Sequence, residues 1–398
     1  MTSTYRIRGT EINFDPAAAE TAEVRLNAPR RLQPGNARDA GVGEIEVAAD
    51  DVVRVELENG FVLWTRADDL IRERGRKSIS RSGTELAWEI DPRPALSDST
   101  EASRGWLKIG VRILDFFGVD LVGKSAAVLG AKLERKLLGG EPALYHCPLD
   151  AEFELTPVNS ANPLRRPSGE QPVLVFLHGT ASSGRGSFGK LWESDAGAEA
   201  RNKLHAKYQD RVYCWEHRSL TESPITNALQ LARTLVAELP RGTRIDLVSH
   251  SRGGLVGEVF CLAQRDRDND PLQAELLDKL FAADRIIAEQ LGLGSLDSSA
   301  ARERDLAYQR DREALTELRE ILDRQQPVID RFVRVACPAR GTTLASGRLD
   351  RWLSILNWFA GKSLAADALD FVLAVVKERT DPRTLPGLEA MMPGSALT

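Results

Sequence analysis

Histidine is scarce in this chain: five among 398 residues, at His146, His178, His205, His217 and His250, and none after position 250. Cysteine is as rare, with four widely spaced residues (Cys147, Cys214, Cys261 and Cys337) set among apolar neighbours. That spacing argues against a disulfide framework or a CxxC metal site and predicts reduced core thiols. No Cys/His cluster has zinc-ligand spacing, so no metal is expected. A dominant charge is missing as well. With 53 basic and 58 acidic side chains the net charge is −5, which argues against a nucleic-acid binder that works by bulk charge. Long apolar runs are absent too. The most apolar stretch, 105–138, is interrupted by Lys108, Arg112, Asp115, Asp120 and Lys124, whereas a bilayer span needs about 20 nearly uncharged residues. Residues 1–6 carry no apolar core of a secretory signal, so a cytoplasmic protein is expected. What is present, 42% hydrophobic against 28% charged residues, suffices for two or three domains with buried cores.

Strand-like alternation dominates residues 1–100. Residues 52–58 and 61–65 flank Asn59-Gly60, a pair that favours a two-residue hairpin turn. Residues 5–14 and 85–90 read as further strands, and Pro92 and Pro94 mark a boundary. Together these predict a small β-rich N-terminal domain. Over 101–140, Leu107, Val111, Leu114, Leu121, Ser125, Val128 and Leu133 recur at helical spacing and predict a helical connector. From 141 to 398 short apolar runs alternate with amphipathic segments. Residues 173–177, 212–215, 245–248 and 332–336 are candidate buried strands, with helices expected at about 190–208, 225–238 and 254–265. Such alternation predicts an α/β domain whose sheet is mostly parallel and covered on both faces. Residues 266–326 interrupt the rhythm and predict a helical insertion, with Leu315, Leu318 and Leu322 on one face and the charges solvated.

The chemistry-bearing segment is Ile-Asp-Leu-Val-Ser-His-Ser-Arg-Gly-Gly-Leu-Val at 245–256. An apolar strand runs into Ser249, His250, Ser251, Arg252, Gly253 and Gly254, and then into a helix. This fits the nucleophile elbow G-x-S-x-G, with Ser249 in place of the first glycine. Small residues on either side let strand and helix approach, while the turn lifts the Ser251 hydroxyl and aims the Arg252 backbone N–H at the same point. About 70 residues upstream, a strand ends in His178-Gly179-Thr180, which makes the Thr180 N–H the expected second half of an oxyanion hole. Two such donors facing a developing negative charge are worth roughly 3–4 kcal/mol each. His178 itself reads as a buried turn residue.

With those elements in order, the chain resembles the lipase and esterase branch of the α/β-hydrolase family over residues 170–350. His178-Gly179 after one strand, Ser249 to Gly254 after another, and Ala-Cys-Pro-Ala-Arg-Gly-Thr at 336–342 after the next match that family's recurrent motifs. At 337–343 and 216–218 it is also similar to the lipase-like modules that accompany CHAT caspase-like domains in large bacterial proteins. The resemblance implies a sheet of α/β-hydrolase type, hydrolysis of a small-molecule or lipid ester, Ser251 as nucleophile and no cofactor. It also implies the chain order Ser, acid, His, yet no histidine follows Ser251. The sheet is therefore expected to stop short at the C-terminus, with acid and base supplied by a partner domain or a C-terminal extension. His217 is the other candidate base, because Glu216-His217-Arg218 follows a strand at the edge where ligands bind. Glu216, His217 and Arg340 are expected on the pocket rim. The competing expectation is a non-catalytic ligand- or partner-binding module of a multidomain signalling or defence protein.

Two further signals weigh less. Residues 118–125 spell G-x-x-x-x-G-K-[ST], but the interior is Val-Asp-Leu-Val and apolar helical spacing continues through it, so a packed helix is expected instead of a phosphate cradle. Trp352, Leu353, Ile355, Leu356, Trp358 and Phe359 are expected in the core, with an acyl pocket or membrane contact as the alternative. The basic run Arg72, Arg74, Arg76 and Lys77 reads as solvated.

Overall fold

Period-two alternation in the first hundred residues becomes a sheet. In the computed structural model this sheet is built from β1 (Thr4–Ile12), β2 (Val24–Pro34), β3 (Gly43–Ala48), β4 (Val52–Leu57) and β5 (Val62–Arg66), followed after α1 (Ala67–Arg74) by β6 (Gly75–Ile79), β7 (Leu86–Ile90) and β8 (Val111–Leu121). The structure describes residues 3–13, 24–35, 42–60, 62–79, 86–92, 109–121, 125–149, 153–193, 195–263, 299–339, 341, 365–378, 385–391, 395 and 397. Two compact units form, one from Met1–Leu129 and Gly347–Thr380, the other from Gly130–Ser346 and Asp381–Thr398.

In the first unit the strands run β5-β4-β8-β2-β1-β7-β6, with β3 also paired to β1. Every pairing is antiparallel except β1 with β7. The hairpin between β4 and β5 forms, but with a three-residue turn, Glu58–Gly60, in place of the expected two-residue Asn59-Gly60 turn: the Gly60 N–H donates to Leu57 O at 2.9 Å and Gly60 alone takes a left-handed φ, 80°, which glycine adopts without a Cβ penalty. Val53, Val55, Leu57, Leu63 and Leu114 fill the core under this sheet. The helix Ala365–Glu378 belongs to the same unit. It packs against β4, β5 and β8, buries Phe371, Val372 and Val375, and anchors its end through Lys377 Nζ to Asp50 Oδ2 at 2.5 Å.

The predicted helical connector is half strand. Residues 111–121, read as helical, form β8 between β4 and β2. The reason lies in burial on both faces: Leu114, Phe116, Phe117 and Val119 are all buried, which erases the alternation that marks a strand. Asp115 sits among them, 1% exposed, because Arg31 (2.6 and 2.9 Å) and Arg54 (3.1 Å) neutralise it. The phosphate-loop spelling fares no better in this setting. Gly118, Val119, Asp120 and Leu121 pair with β2, so their backbone groups serve the ladder and cannot converge on a phosphate. Only the helical half of the expectation stands, as α2 (Ala126–Leu138).

The second unit carries a six-stranded sheet, β10-β9-β12-β11-β13-β14. Its elements are β9 (Ala143–His146), β10 (Thr156–Pro157), β11 (Val173–Leu177), α3 (Gly184–Phe188), α4 (Lys190–Glu193), α5 (Asp195–Tyr208), β12 (Val212–Glu216), α6 (Pro224–Thr234), β13 (Arg244–His250), α7 (Gly253–Ala263), the helix Ser299–Gln325, β14 (Val328–Val335) and a short helix, Pro386–Glu389. Strands β11 to β14 lie where the apolar runs predicted them, and alternate residues face opposite helices. Val173, Val175, Leu177, Tyr213 and Trp215 pack with α6 and α7, while Leu174, Phe176, Val212 and Cys214 pack with Phe188, Trp192 and Tyr208. Leu315, Leu318 and Leu322 close over the first of these clusters.

The mostly parallel sheet of α/β-hydrolase type is not what forms. Both sheets are mixed: β9 and β10 join the edge of β12 antiparallel, and the first unit's sheet is antiparallel in all but one pairing. Strands of four and two residues are too short to show a period, so the antiparallel edge left no trace in the apolar pattern. β14 also departs from expectation. It is an edge strand among the described residues, with Val328, Val333 and Val335 each about half exposed instead of buried. The cluster at 352–359, most of the insertion before Ser299, and Arg340 lie outside the described residues. No helix of the described residues is long and apolar enough to cross a membrane.

Candidate functional site

Ser251 sits at φ 51°, a left-handed conformation that side chains other than glycine adopt at a penalty of about 1–2 kcal/mol. It is held there from both sides. Its N–H donates to Val335 O at 2.8 Å, and its carbonyl accepts the Gly254 N–H at 3.0 Å. β13 thus turns directly into α7. Gly253 is required by the closeness of that turn to the end of β11: a Cβ there would lie 2.3 Å from Leu177 O and 2.5 Å from His178 O. A Cβ on Gly254 would meet Cys337 Sγ at 2.1 Å. Ser249 is fully buried, its hydroxyl donating to Val333 O at 3.4 Å.

The residues after β11 reach the same turn. A Cβ on Gly179 would stand 3.0 Å from Ser251 Cβ and 3.1 Å from His250 Nδ1. The loop is shaped by Gly179 N–H donating to Ser187 Oγ (3.1 Å) and Ala181 N–H to Ser219 Oγ (2.8 Å), with Ala181 at φ 46°. Among the described residues neither the Thr180 nor the Arg252 backbone N–H has an acceptor. Arg252 follows Ser251 in the chain and Thr180 follows Gly179, and unengaged backbone donors converging on a serine are what an oxyanion hole requires. The Thr180 hydroxyl is occupied, donating to Met391 Sδ at 3.1 Å.

Arg252 has a second role that its place in the motif does not announce. Its side chain is fully buried, donating to Gly387 O (2.9 Å), Asn227 Oδ1 (2.9 Å) and Glu222 O (2.5 Å). Burial lowers its pKa to about 10, so the guanidinium keeps its charge at neutral pH, facing Glu134, Glu222 and Asp311. Glu134 holds the 220–221 backbone, accepting from Leu220 N at 2.5 Å and Thr221 N at 3.2 Å, and burial raises its pKa. Asp311, pushed up to about 6 by burial, accepts from the Ser223 hydroxyl. Sequence reading missed these acids and the segment Leu385–Met391. The one signal available was Ser223-Pro224, a helix cap followed by proline at N1, which marks the start of α6.

Glu216 and His217 lie beneath the edge, 3% and 0% exposed, and not on a rim. His217 stacks on His178, with ring centroids 4.0 Å apart and planes at 21°. Its backbone N–H donates to His178 Nε2 (3.0 Å), and His178 Nδ1 lies 2.9 Å from Gly179 O. Burial keeps both rings neutral: His178 is lowered to about 4 and His217 well below its ordinary value. Glu216 moves the other way, pushed up to about 7 by burial against a single Gly184 N–H at 2.8 Å. A cavity of about 310 Å³ opens next to them, lined by Glu141, Trp215, Arg218, Glu222, Gln230 and Arg233.

The Ser251 hydroxyl makes no hydrogen bond among the described residues, so no histidine is seen to serve it as base. His146 contacts Pro163 O from β9 and His205 is exposed on α5. Among the described residues two histidine ring nitrogens are buried without a partner, His217 Nε2 and His250 Nδ1.

The raised Glu216 pKa predicts a pH effect on stability. The folded protein binds a proton at this site that the unfolded chain releases above about pH 4.3. Its contribution is therefore complete below that value and is lost as pH rises through about 7. His178 works oppositely, adding stability as pH rises from about 4 to 6.5. Glu216→Gln isolates the first effect. Between about pH 5 and 8, urea unfolding of the wild type should lose roughly 3 kcal/mol relative to Glu216→Gln; parallel pH profiles would contradict it.

A family described as a domain of unknown function (DUF7379) matches residues 148–281, the stretch that carries β11, β12, β13 and the Ser251 turn. No curated protein and no solved structure matches the chain.

Proposed function

We propose that this protein transfers the acyl group of a carboxylic ester to water through Ser251. One observation carries the reading: a serine at positive φ, at the carboxyl end of β13 and against Gly179, with the backbone N–H groups of the next residue and of Thr180 unengaged among the described residues. Strained non-glycine backbone persists where surrounding contacts over-determine it, and such positions cluster at functional sites. In the proposed reaction Ser251 Oγ attacks the ester carbonyl, the Thr180 and Arg252 N–H groups receive the oxyanion, the alcohol leaves, and water releases the acid. The general base is a group that docks at the Ser251 turn from a partner domain or a further segment of the polypeptide. Small-molecule and lipid esters both fit the reading. The four cysteines Cys147, Cys214, Cys261 and Cys337 are in no disulfide, which supports a cytoplasmic setting.

A second reading, a ligand- or partner-binding module, is favoured by the Met391 contact with Thr180 and by the unpartnered Ser251 hydroxyl. Fluorophosphonate labelling separates the two. Wild-type protein should be labelled and Ser251→Ala should not; folded wild-type protein that resists the probe supports the binding module. Ser251→Gly should also lose labelling while gaining up to about 1 kcal/mol in urea unfolding, because glycine relieves the positive φ. A loss of stability in that variant would show that the turn is not strained.

A further inference from the structure

Hydrogen-bond geometry around His178 constrains where the protons sit. The His217 N–H points at His178 Nε2 over 3.0 Å, so that nitrogen carries a lone pair. The ring proton is then on Nδ1, donated to Gly179 O at 2.9 Å. Glu216 Oε2 lies 3.3 Å from the same Nε2 and has no hydrogen-bond donor of its own. A carboxylate there would set a full negative charge against a lone pair inside the protein. A neutral carboxyl removes that charge and can turn its proton toward Nε2 as a second donor beside the His217 N–H.

Among the described residues no opposite charge compensates Glu216. The groups facing it are His178 at the end of β11, the Gly184 N–H at the start of α3, Cys214 and His217 along its own strand, and Tyr145 on β9. Burial keeps the thiol and the phenol protonated and the His217 ring neutral.

The other end of this relay is the candidate oxyanion hole. Gly179 C=O and Thr180 N–H belong to one peptide unit, and a trans peptide turns them in opposite directions. Fixing the carbonyl on His178 therefore aims the N–H. Gly179 lies directly against Ser251, as the 3.0 Å approach of its would-be Cβ shows.

Resting on the reading of Ser251 as nucleophile, we propose that Glu216 is a positioning residue for the oxyanion hole. Its neutral carboxyl holds the His178 tautomer that fixes the Gly179–Thr180 peptide beside Ser251. Ionisation of Glu216 sets a charge against the Nε2 lone pair, loosens His178 and releases the peptide. Its raised pKa puts that event near neutrality.

The test compares fluorophosphonate labelling rates of the full chain as wild type, Glu216→Gln and Glu216→Ala across about pH 5.5 to 8.5. Glutamine keeps a donor toward His178 and cannot ionise. It should label within about twofold of wild type at pH 6 and, unlike wild type, keep its rate above pH 7. Alanine should label roughly tenfold more slowly throughout, as expected for a misaimed oxyanion donor. Identical pH profiles for wild type and Glu216→Gln, or a glutamine variant as slow as alanine, overturn the proposal. A second readout is independent of activity. Nitrogen-15 spectra of histidine-labelled protein should show His178 protonated on Nδ1 at pH 6 in both wild type and Glu216→Gln, and a proton on Nε2 overturns it. Absence of wild-type labelling overturns the nucleophile reading and the positioning role together, while the same spectra decide whether the proton placement holds.

Discussion

Arg252→Met is expected to lose about 3–5 kcal/mol of unfolding free energy, seen as a lower urea midpoint at unchanged slope. Methionine approximates the arginine stem but offers no donor, so Gly387 O, Asn227 Oδ1 and Glu222 O are left without it. Glu134, Glu222 and Asp311 also lose the one buried cation they share. The damage has a direction. Gly387 is tied to the unit by Arg252 Nε and by its own N–H to Leu220 O at 3.1 Å, so residues 385–391 should exchange amide hydrogens faster in the variant. Arg252→Lys should recover little, because an ammonium cannot present three donors in a planar fork. A methionine variant as stable as wild type would mean that the network contributes specificity and not stability.

Gly253→Ala is the second large effect. Its methyl would lie 2.3 Å from Leu177 O and 2.5 Å from His178 O, both backbone atoms at the end of a central strand that cannot swing aside as a side chain can. Relief requires α7 to move off β11, and overpacking of this kind costs about 3 kcal/mol or more. The same displacement would open the space between Gly179 and Ser251, so labelling should fall along with stability. Gly140→Ala serves as control: nothing lies within 4 Å of its would-be Cβ, and the change should stay within about 0.5 kcal/mol. If both variants unfold at the same midpoint, the elbow is looser than its geometry states.

Legibility followed burial pattern and local chemistry. The central strands β11, β12 and β13 are visible because burial on both faces makes continuous apolar runs, and the hairpin at Gly60 because its left-handed turn position favours glycine, although the turn closes over three residues and not two. The turn at Ser251 is visible for a related reason, since the approach of α7 to β11 admits only glycine at 253. β8 was misread because Leu114 to Phe117 are buried on both faces with Asp115 among them, a charge whose partners Arg31 and Arg54 are remote in sequence. The antiparallel edge of the second sheet was invisible because β9 and β10 are too short to carry a period. Within the site, Glu216 and His217 were found by position but placed on a rim. Their burial depends on α3, whose Gly184 is 32 residues away. No local pattern encodes that contact, nor the Glu134, Asp311 and Gly387 contacts around Arg252.

The order in which the chain supplies its two units has a consequence during synthesis. The first unit's sheet leaves the ribosome by Leu121, yet the helix that fills its core, Ala365–Glu378, follows more than two hundred residues later. At cellular elongation rates that delay is on the order of tens of seconds. Throughout it, the places taken by Phe371, Val372 and Val375 stand open. The second unit waits longer still, since Gly387 and Met391 follow that helix. The first unit is completed only after most of the second has been made, and the second only after the first. A nascent chain stalled between the end of β14 and Gly347 would hold two unfinished cores at once, and it is that intermediate, more than the finished protein, that would call on a holding chaperone.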